Sequence, residues 1–148
     1  MSEISKTSYF VVETLKTNPL VNTITFEKTA EMDWNKQNIY PLVNIDVISS
    51  NPTDENVEVT FILTAVQERD VDNELETDKL FGSNLIDNLN ETHQILNKLL
   101  RVILNNHNDD DIDVVQHTNI RFLKNFRGAL DGSQMDVVLT IPNSVGGC

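Results

Sequence analysis

The stretch NIYPLVNIDV, from Asn38 to Val47, decides the fold because it predicts the first residues of a two-faced β-strand. Successive side chains of a strand point to opposite faces of its sheet, so the alternating apolar and polar residues separate. The apolar residues are expected in the core and the polar residues on the face turned away from it: Val43, Ile45 and Val47 on the first, Asn44 and Asp46 on the second.

Pro41 indicates where this strand lies in its sheet. Proline has no backbone N–H to donate, so it is found in the first residues of a strand or on a sheet edge. After this strand, the stretch SSNPTDEN is rich in residues that favour turns. A second alternating segment follows from Val57 to Ala65. The two segments predict a hairpin with one apolar face, as in an antiparallel sheet covered on one side.

Further alternating segments predict the rest of the sheet. They occupy residues 21–28, 120–126 and 134–142, while residues 114–116 predict at most a short strand. The LDG sequence at residues 130–132 predicts a tight turn before the last strand. The inner face of that last strand is expected to carry Met135, Val137, Leu139 and Ile141.

Two segments have the spacing of helices. Ser2 to Thr17 predicts an amphipathic helix that ends before Pro19. Its apolar stripe is formed by Tyr9, Val12 and Leu15 and is widened by Phe10 and Val11. Residues 84–104 predict a longer helix whose broad apolar face packs on the sheet. The prediction is an α+β fold: an antiparallel sheet of about five strands against a long central helix, with an N-terminal helix. Residues 1–142 form one domain, and residues 143–148 form a flexible C-terminal tail.

Composition limits the classes of function. The chain has 148 residues, 39% of them hydrophobic, and a formal net charge of −12. Such a charge is repelled by nucleic acid phosphates and by anionic membranes, which argues against tight binding to either. The single cysteine, Cys148, cannot form a disulfide within the chain and suits a reducing compartment. The sequence shows no signal peptide and no apolar run of the roughly 20 residues that span a bilayer.

The sequence predicts no enzyme and no bound metal or cofactor. His93, His107 and His117 are too far apart for the close ligand pair typical of zinc sites. The acidic loop beginning at Asp109 lacks the glycine and glutamate of a calcium-binding loop. Four carboxylates are close in sequence, but no base, nucleophile or metal ligands complete a catalytic site: Glu27, Glu31, Asp33 and Asp46.

Two features favour contacts with other molecules without requiring them. Trp34 lies in a polar connection, where it either anchors a partner or folds back over its own loop. Acids at every second position face one side if their segment is extended. They form either an ordinary solvated loop or a surface kept negative so that DNA does not adhere to it. These acids are Glu68, Asp70, Asp72, Glu74, Glu76 and Asp78.

The order of these elements resembles that of bacteriophage tail-completion proteins, a group that includes tail terminators and head-to-tail joining ring proteins. The resemblance covers nearly the whole chain. It is carried by IYPLVNIDVISS, by the acidic segment before LFGSNLIDNLNETHQILNKLL, and by the closing LDGSQMDVVLTIPN. The resemblance includes no catalytic signature, and the acidic NHNDDDID loop has no counterpart in the family pattern.

The resemblance implies a structural virion protein that is assembled in the cytoplasm of a bacterial host. Such subunits form a sixfold or twelvefold homo-oligomeric ring at the head–tail junction or the tail end. Portal, connector or tail proteins are the expected neighbours, and DNA passes through the lumen without specific binding. The six acids from Glu68 to Asp78 are then candidates to face the lumen. Candidate subunit contacts are Trp34, Pro41, Asn44 and Asp46. The alternative is a non-enzymatic acidic interaction module of a cellular or regulatory complex.

Overall fold

The computed structural model describes residues 2–29, 39–69, 85–105, 110–126 and 130–144, which form two helices and one six-stranded mixed sheet. The elements are α1 (Glu3–Lys16), β1 (Thr23–Thr25), β2 (Leu42–Pro52), β3 (Asn56–Glu68), α2 (Leu85–Asn105), β4 (Asp113–His117), β5 (Arg121–Phe126) and β6 (Leu130–Pro142). The α+β class predicted from the sequence is confirmed.

The sheet is mixed because its first strand is parallel to its second. Thr23 to Thr25 of β1 pair in parallel with Leu42 to Asn44 of β2, whereas all the other pairs are antiparallel. Residues 26–41 supply the long connection that a parallel pair requires. The prediction of a purely antiparallel sheet of about five strands is therefore corrected. The β2–β3 hairpin predicted from the opening stretch is present, but its turn is shorter than predicted, because Ser49 to Pro52 belong to β2.

β6 holds one side of the sheet together. It pairs with β3 along its whole length, and its other edge pairs first with β5 and then with β4, giving the order β1-β2-β3-β6-β4. The predicted LDG turn is wrong, because Leu130, Asp131 and Gly132 are the first residues of β6. Gly132 is required there by space: a Cβ at this position would collide with the backbone oxygen of Ala65.

α1 begins and ends close to the predicted residues, and its buried stripe only partly matches the predicted one: Val11 and Leu15 are buried as predicted, but Tyr9 is not. The Ser2 hydroxyl accepts a hydrogen bond from the Ser5 N–H, which caps the first turn. The buried residues are Thr7, Val11 and Leu15, spaced one helical turn apart. Tyr9, predicted on the apolar stripe, is 56% exposed. The stripe was misplaced because Thr7 is polar; its hydroxyl is satisfied by the carbonyl oxygens of Glu3 and Ile4.

The core lies between the helices and one face of the sheet. Val43 and Ile45 of β2 are buried as predicted, together with alternate residues of β3 and β6 and the inner face of α2. Val47 is 37% exposed, so its predicted burial is wrong. The other predicted core residues are confirmed: Val57, Val59, Phe61, Leu63, Met135, Val137, Leu139 and Ile141 from the sheet, and Leu89, Leu96, Leu99 and Ile103 from α2.

The second face of the sheet has its own small apolar cluster. Leu42, Val66 and Leu130 are buried there, and Tyr40 packs against them. Partial burial raises the pKa of the Tyr40 hydroxyl, and the Glu68 carboxylate adds to the rise. This face also explains why β6 tolerates polar residues: the Gln134 amide donates to the Thr64 hydroxyl at 2.8 Å and accepts from Arg121 at 3.0 Å.

The chain remains fixed for two residues beyond the predicted domain boundary. The Asn143 N–H donates to the Glu55 carbonyl oxygen at 2.9 Å, and its side chain donates to the carbonyl oxygen of Thr53. The Ser144 N–H and hydroxyl both donate to the Glu3 carboxylate. Asn143 and Ser144, predicted to belong to a flexible tail, are therefore bonded to the domain, and residues 145–148 lie outside the described residues. Neither helix in the described ranges is long and apolar enough to cross a membrane.

Candidate interaction surfaces

Asn44, predicted to face solvent or a neighbour, is fully buried and binds the chain that follows β1. Its side-chain oxygen accepts hydrogen bonds from the Thr25 hydroxyl at 2.7 Å and from the Glu27 N–H at 3.1 Å. Its amide nitrogen donates to the Glu27 carbonyl oxygen at 2.9 Å. Asn44 thus replaces the backbone ladder at the point where β1 ends.

Asp46, two residues further along β2, binds the same segment after β1. Its carboxylate accepts from the N–H of Thr29 at 2.8 Å and from the hydroxyl of the same residue at 2.9 Å. Asp46 is 8% exposed. The prediction that Asn44 and Asp46 face solvent is therefore wrong, because residues 25–29 cover them. A role for either residue at a subunit interface stays a prediction, and it would act through this covering segment.

Pro41 precedes β2, as its lack of an N–H predicts, but it is buried and does not lie on an edge. Its carbonyl oxygen accepts from the Asn22 N–H at 3.0 Å and the Thr23 N–H at 3.3 Å, which positions β1 beside β2. The Tyr40–Pro41 peptide bond is cis. A subunit contact at Pro41 remains a prediction.

The remaining predicted residues are only partly within the described chain. Trp34 and the acids at positions 70, 72, 74, 76 and 78 lie outside the described residues. Glu68 is the last residue of β3 and is exposed. That the acids face a lumen, and that Trp34 contacts another subunit, both stay predictions.

The outer half of β2, which we define as Val47 to Pro52, forms an open sheet edge. No strand of the described residues pairs with its side away from β3, because β1 pairs only with residues up to Asn44. The register with β3 shifts between Val47 and Ser49, which leaves Ile48 as a bulge. Val47 and Ile48 are substantially exposed, as is Phe26 beside them. A shallow cavity of about 220 Å³ joins Phe26 to Val47.

β4 forms a second open edge on the opposite side of the sheet, at the same level. Val47 lies in register with Phe61, then Val137, then His117 of β4. Asn51, at the other end of the outer half of β2, connects through β3 and β6 in the same way to Asp113. The structure describes no strand on the far side of β4, and Val115 in its middle is 48% exposed. Among the described residues, two open edges of similar length therefore lie at opposite ends of the same cross-strand rows of residues, from Val47–Asn51 to His117–Asp113.

A cationic groove lies on the helical layer, between α2 and the connector from α1 to β1. Its volume is about 360 Å³, and Lys98 and Arg101 line it together with Asn18. Both cations are exposed, and no described residue forms an ion pair with either. Sequence reasoning missed this groove. The available signal was a pair of cations three residues apart on the polar face of a helix in an acidic chain.

A buried polar cluster joins the end of β3 to β6 and α2. The Arg69 guanidinium donates two hydrogen bonds to the Asp131 carboxylate, at 2.9 and 2.6 Å, and the Asp131 side chain is fully buried. Asn88 bridges the Asp131 carboxylate and the carbonyl oxygen of Glu68. Nearby, the Thr92 and Ser133 hydroxyls share a hydrogen bond of 2.9 Å. Because these groups satisfy one another within the interior, we interpret the cluster as structural.

The described residues contain no group of three or more histidines, cysteines or carboxylates that could hold a metal ion. His93 contacts the ring of Phe122, with ring centroids 6.1 Å apart, beside a cavity of about 310 Å³. Leu89 and Asn90 also line that cavity, and none of the residues that line it carries a carboxylate, hydroxyl or thiol.

The chain was compared with models of known protein families and with curated proteins, and neither comparison found a match. The resemblance to tail-completion proteins therefore stays an expectation carried by the sequence alone.

Proposed function

We propose that the protein is a structural subunit of a tailed bacteriophage particle and forms a homo-oligomeric ring at the head–tail junction or at the tail end. In this proposal α2 is the long central helix of each subunit, and DNA passes through the ring without specific binding. The protein has no enzymatic role and needs no cofactor. Its neighbours are portal, connector or tail proteins.

One observation carries the proposal: among the described residues, the sheet has two edges without a neighbouring strand, at the same level on opposite sides. A surface that pairs with a different surface of the next copy produces a head-to-tail contact, and such contacts close into rings when the rotation permits. The outer half of β2 supplies one such surface and β4 the other. Open edges with exposed apolar residues are otherwise a hazard that proteins suppress. Their placement favours controlled association.

Strand direction supports the same arrangement. β2 is antiparallel to β3, β3 to β6, and β6 to β4, so β2 and β4 run in opposite directions. If a neighbour keeps the orientation of its own sheet, its β4 approaches the outer half of β2 in the antiparallel sense. An antiparallel pair needs no connection between its strands and has well-aligned hydrogen bonds.

Charge supports a passive relation to DNA. The net charge of −12 opposes tight binding of phosphates, which depends on the release of counterions by lysine and arginine. An acidic lumen would leave the passage free of sites where DNA adheres. The repulsion acts within a Debye length, about 8 Å at physiological salt.

The experiment is a mass measurement of the purified full chain at several concentrations, combined with electron microscopy of the same sample. We expect closed rings of six or twelve copies. The Ile48→Lys variant should reduce ring formation, because a lysine on a sheet edge opposes edge pairing. Tyr9→Lys is the matched control: it adds the same charge at an exposed residue of α1.

A chain that stays monomeric at all concentrations and binds a cellular protein would contradict the ring and favour the acidic interaction module. Equal ring formation by the Ile48→Lys variant and the wild type would remove the β2 edge from the proposal.

A further inference from the structure

The cationic groove carries hydrogen-bond donors and positive charges that suit negatively charged oxygen atoms. Lys98 and Arg101 offer several N–H donors, and no carboxylate lines the groove. Asn18 adds a buried donor: it is 6% exposed, its side-chain oxygen accepts from the Leu20 N–H at 3.0 Å, and its amide nitrogen donates to no described residue. A buried donor without a partner is unfavourable, so a bound carboxylate would satisfy it.

We propose that this groove binds the acidic end of β4 from a second copy of the chain, with Asp110, Asp111 and Asp113 as the recognised carboxylates. The proposal rests on the proposed function, because it names one contact between neighbouring subunits of the ring. All three aspartates are exposed, and no described residue forms an ion pair with them. A chain with 23 acids and 11 lysines and arginines carries many more carboxylates than cations. An unpaired cationic groove on such a chain is therefore complementary to another copy of it.

The position of the groove fits a head-to-tail contact. The connector that forms one wall leads directly into β1, the strand at one edge of the sheet. The aspartates precede or begin β4, the strand at the other edge. The two sides of α2 also face different parts of the fold. Lys98 lines the groove beside the α1–β1 connector, whereas His93 contacts Phe122 of β5.

The cations of the groove and the aspartates also lie close together in the chain. Lys98 and Arg101 belong to the C-terminal half of α2, and the chain reaches Asp110 soon after this helix ends. Asp113 is in register with Thr140 and, through β3, with Asn51 in the outer half of β2. A neighbour whose β4 approaches β2 therefore brings its aspartates to the β1–β2 edge of the subunit, and the groove's connector leads into that edge.

The experiment compares three variants of the full chain by sedimentation over a range of concentrations. The first reverses the groove with Lys98→Glu and Arg101→Glu. The second adds Asp110→Lys and Asp111→Lys to the first, so that both partners are reversed. The third is a control with Lys6→Glu and Lys124→Glu, which gives the same net charge as the first variant while leaving the groove intact. Circular dichroism establishes that each variant is folded.

We expect the first variant to require a protein concentration at least about tenfold higher before half of its chains are assembled, because like charges would face each other. The second should return most of the way to the wild-type value, and the control should stay within about twofold of it. If the first variant does not fold, Lys98→Gln with Arg101→Gln replaces it, with the same direction of effect. Added salt should weaken wild-type assembly and leave the assembly of the neutral variant less affected.

The outcomes separate this contact from the proposed function. Wild-type rings that are unaffected by reversal of the groove overturn the contact and leave the ring intact. Loss of assembly in the first variant without recovery in the second overturns the pairing with the aspartates. A wild-type chain that never assembles overturns the ring and the contact together.

Discussion

Each half of β2 begins with two apolar residues, Leu42–Val43 and Val47–Ile48, but the two halves lie in opposite environments. In the inner half, from Leu42 to Asp46, every residue is buried, the polar ones included; in the outer half, from Val47 to Pro52, every residue is exposed. The difference comes from what lies beside the strand. Residues 23–29 run along the inner half and bind its side chains, whereas no described segment runs along the outer half. Burial in this strand is therefore set by its neighbour more than by its own alternation.

The largest contrast is expected from matched truncations of isoleucine. Ile45→Ala should reduce the free energy of unfolding by about 2–5 kcal/mol, because it opens a cavity in the core. Ile48→Ala removes the same atoms from an exposed bulge and should change it by about 0.5 kcal/mol or less. Chemical denaturation of the monomer measures both. Equal losses would show that the two halves are buried alike.

A second contrast uses the two asparagines of the strand. Asn44→Ala should destabilise the fold by about 1–3 kcal/mol, because the Glu27 N–H and carbonyl oxygen lose a partner whose own side chain is fully buried. Asn51→Ala, in the exposed half, should be close to neutral. The same denaturation measurement applies, and a neutral Asn44→Ala variant would contradict the fastening role of this residue.

Hydrogen exchange should separate the halves without any mutation. In the inner half, Leu42 to Asn44 pair with β1, so their amides that point away from β3 should exchange slowly. The amides of the outer half that point away from β3 should exchange at least about tenfold faster in the monomer. Assembly should protect the outer amides if the proposed edge contact forms. Outer amides that exchange equally fast in monomer and ring would argue against pairing at this edge.

The smallest effect is expected where the outer half ends. The turn after Pro52 is held by Asn143, and the next residue, Ser144, binds Glu3. The Ser144 hydroxyl and then its N–H lower the pKa of Glu3 to about 2 from its ordinary 4.5. Because the folded pKa is depressed, this contact stabilises the fold above about pH 4.5, and the contribution is lost as pH falls toward 2.

Ser144→Ala should raise the Glu3 pKa part of the way to its ordinary value, since the backbone N–H still donates. An NMR titration of the Glu3 side chain measures the shift. Ser5→Ala, which alters the same helical turn without touching Ser144, is the control. An unchanged pKa in the Ser144→Ala variant would mean that the hydroxyl does not hold this carboxylate.

Sequence patterns were reliable wherever one physical rule acted alone. The alternation in β3 and β6 and the apolar face of α2 predicted the buried residues, because these elements pack against a continuous core on one side. The turn predicted at Leu130 to Gly132 failed for a different reason. The aspartate is drawn into the interior by Arg69, 62 positions away along the chain, and the glycine is needed for close strand packing, so turn propensity did not decide.

The candidate surfaces were less accessible to sequence reasoning. Exposure of Asn44 and Asp46 follows from alternation only if their face is open to solvent, and the segment after β1 closes it. The cationic groove requires α2 and the α1–β1 connector to meet, although Asn18 and Lys98 are far apart in sequence.

The sequence by itself determined the class of fold, the two helices, the β2–β3 hairpin and the acidic character of the chain. These depend on local periodicity and composition, which any segment carries with it. Only the tertiary structure decided that β1 is parallel to β2 and that described residues cover the polar face of β2 at one end only. It also decided that two edges without a described neighbouring strand lie across the sheet from each other. Such properties depend on which segments become neighbours, and contacts between distant residues leave no period in the sequence.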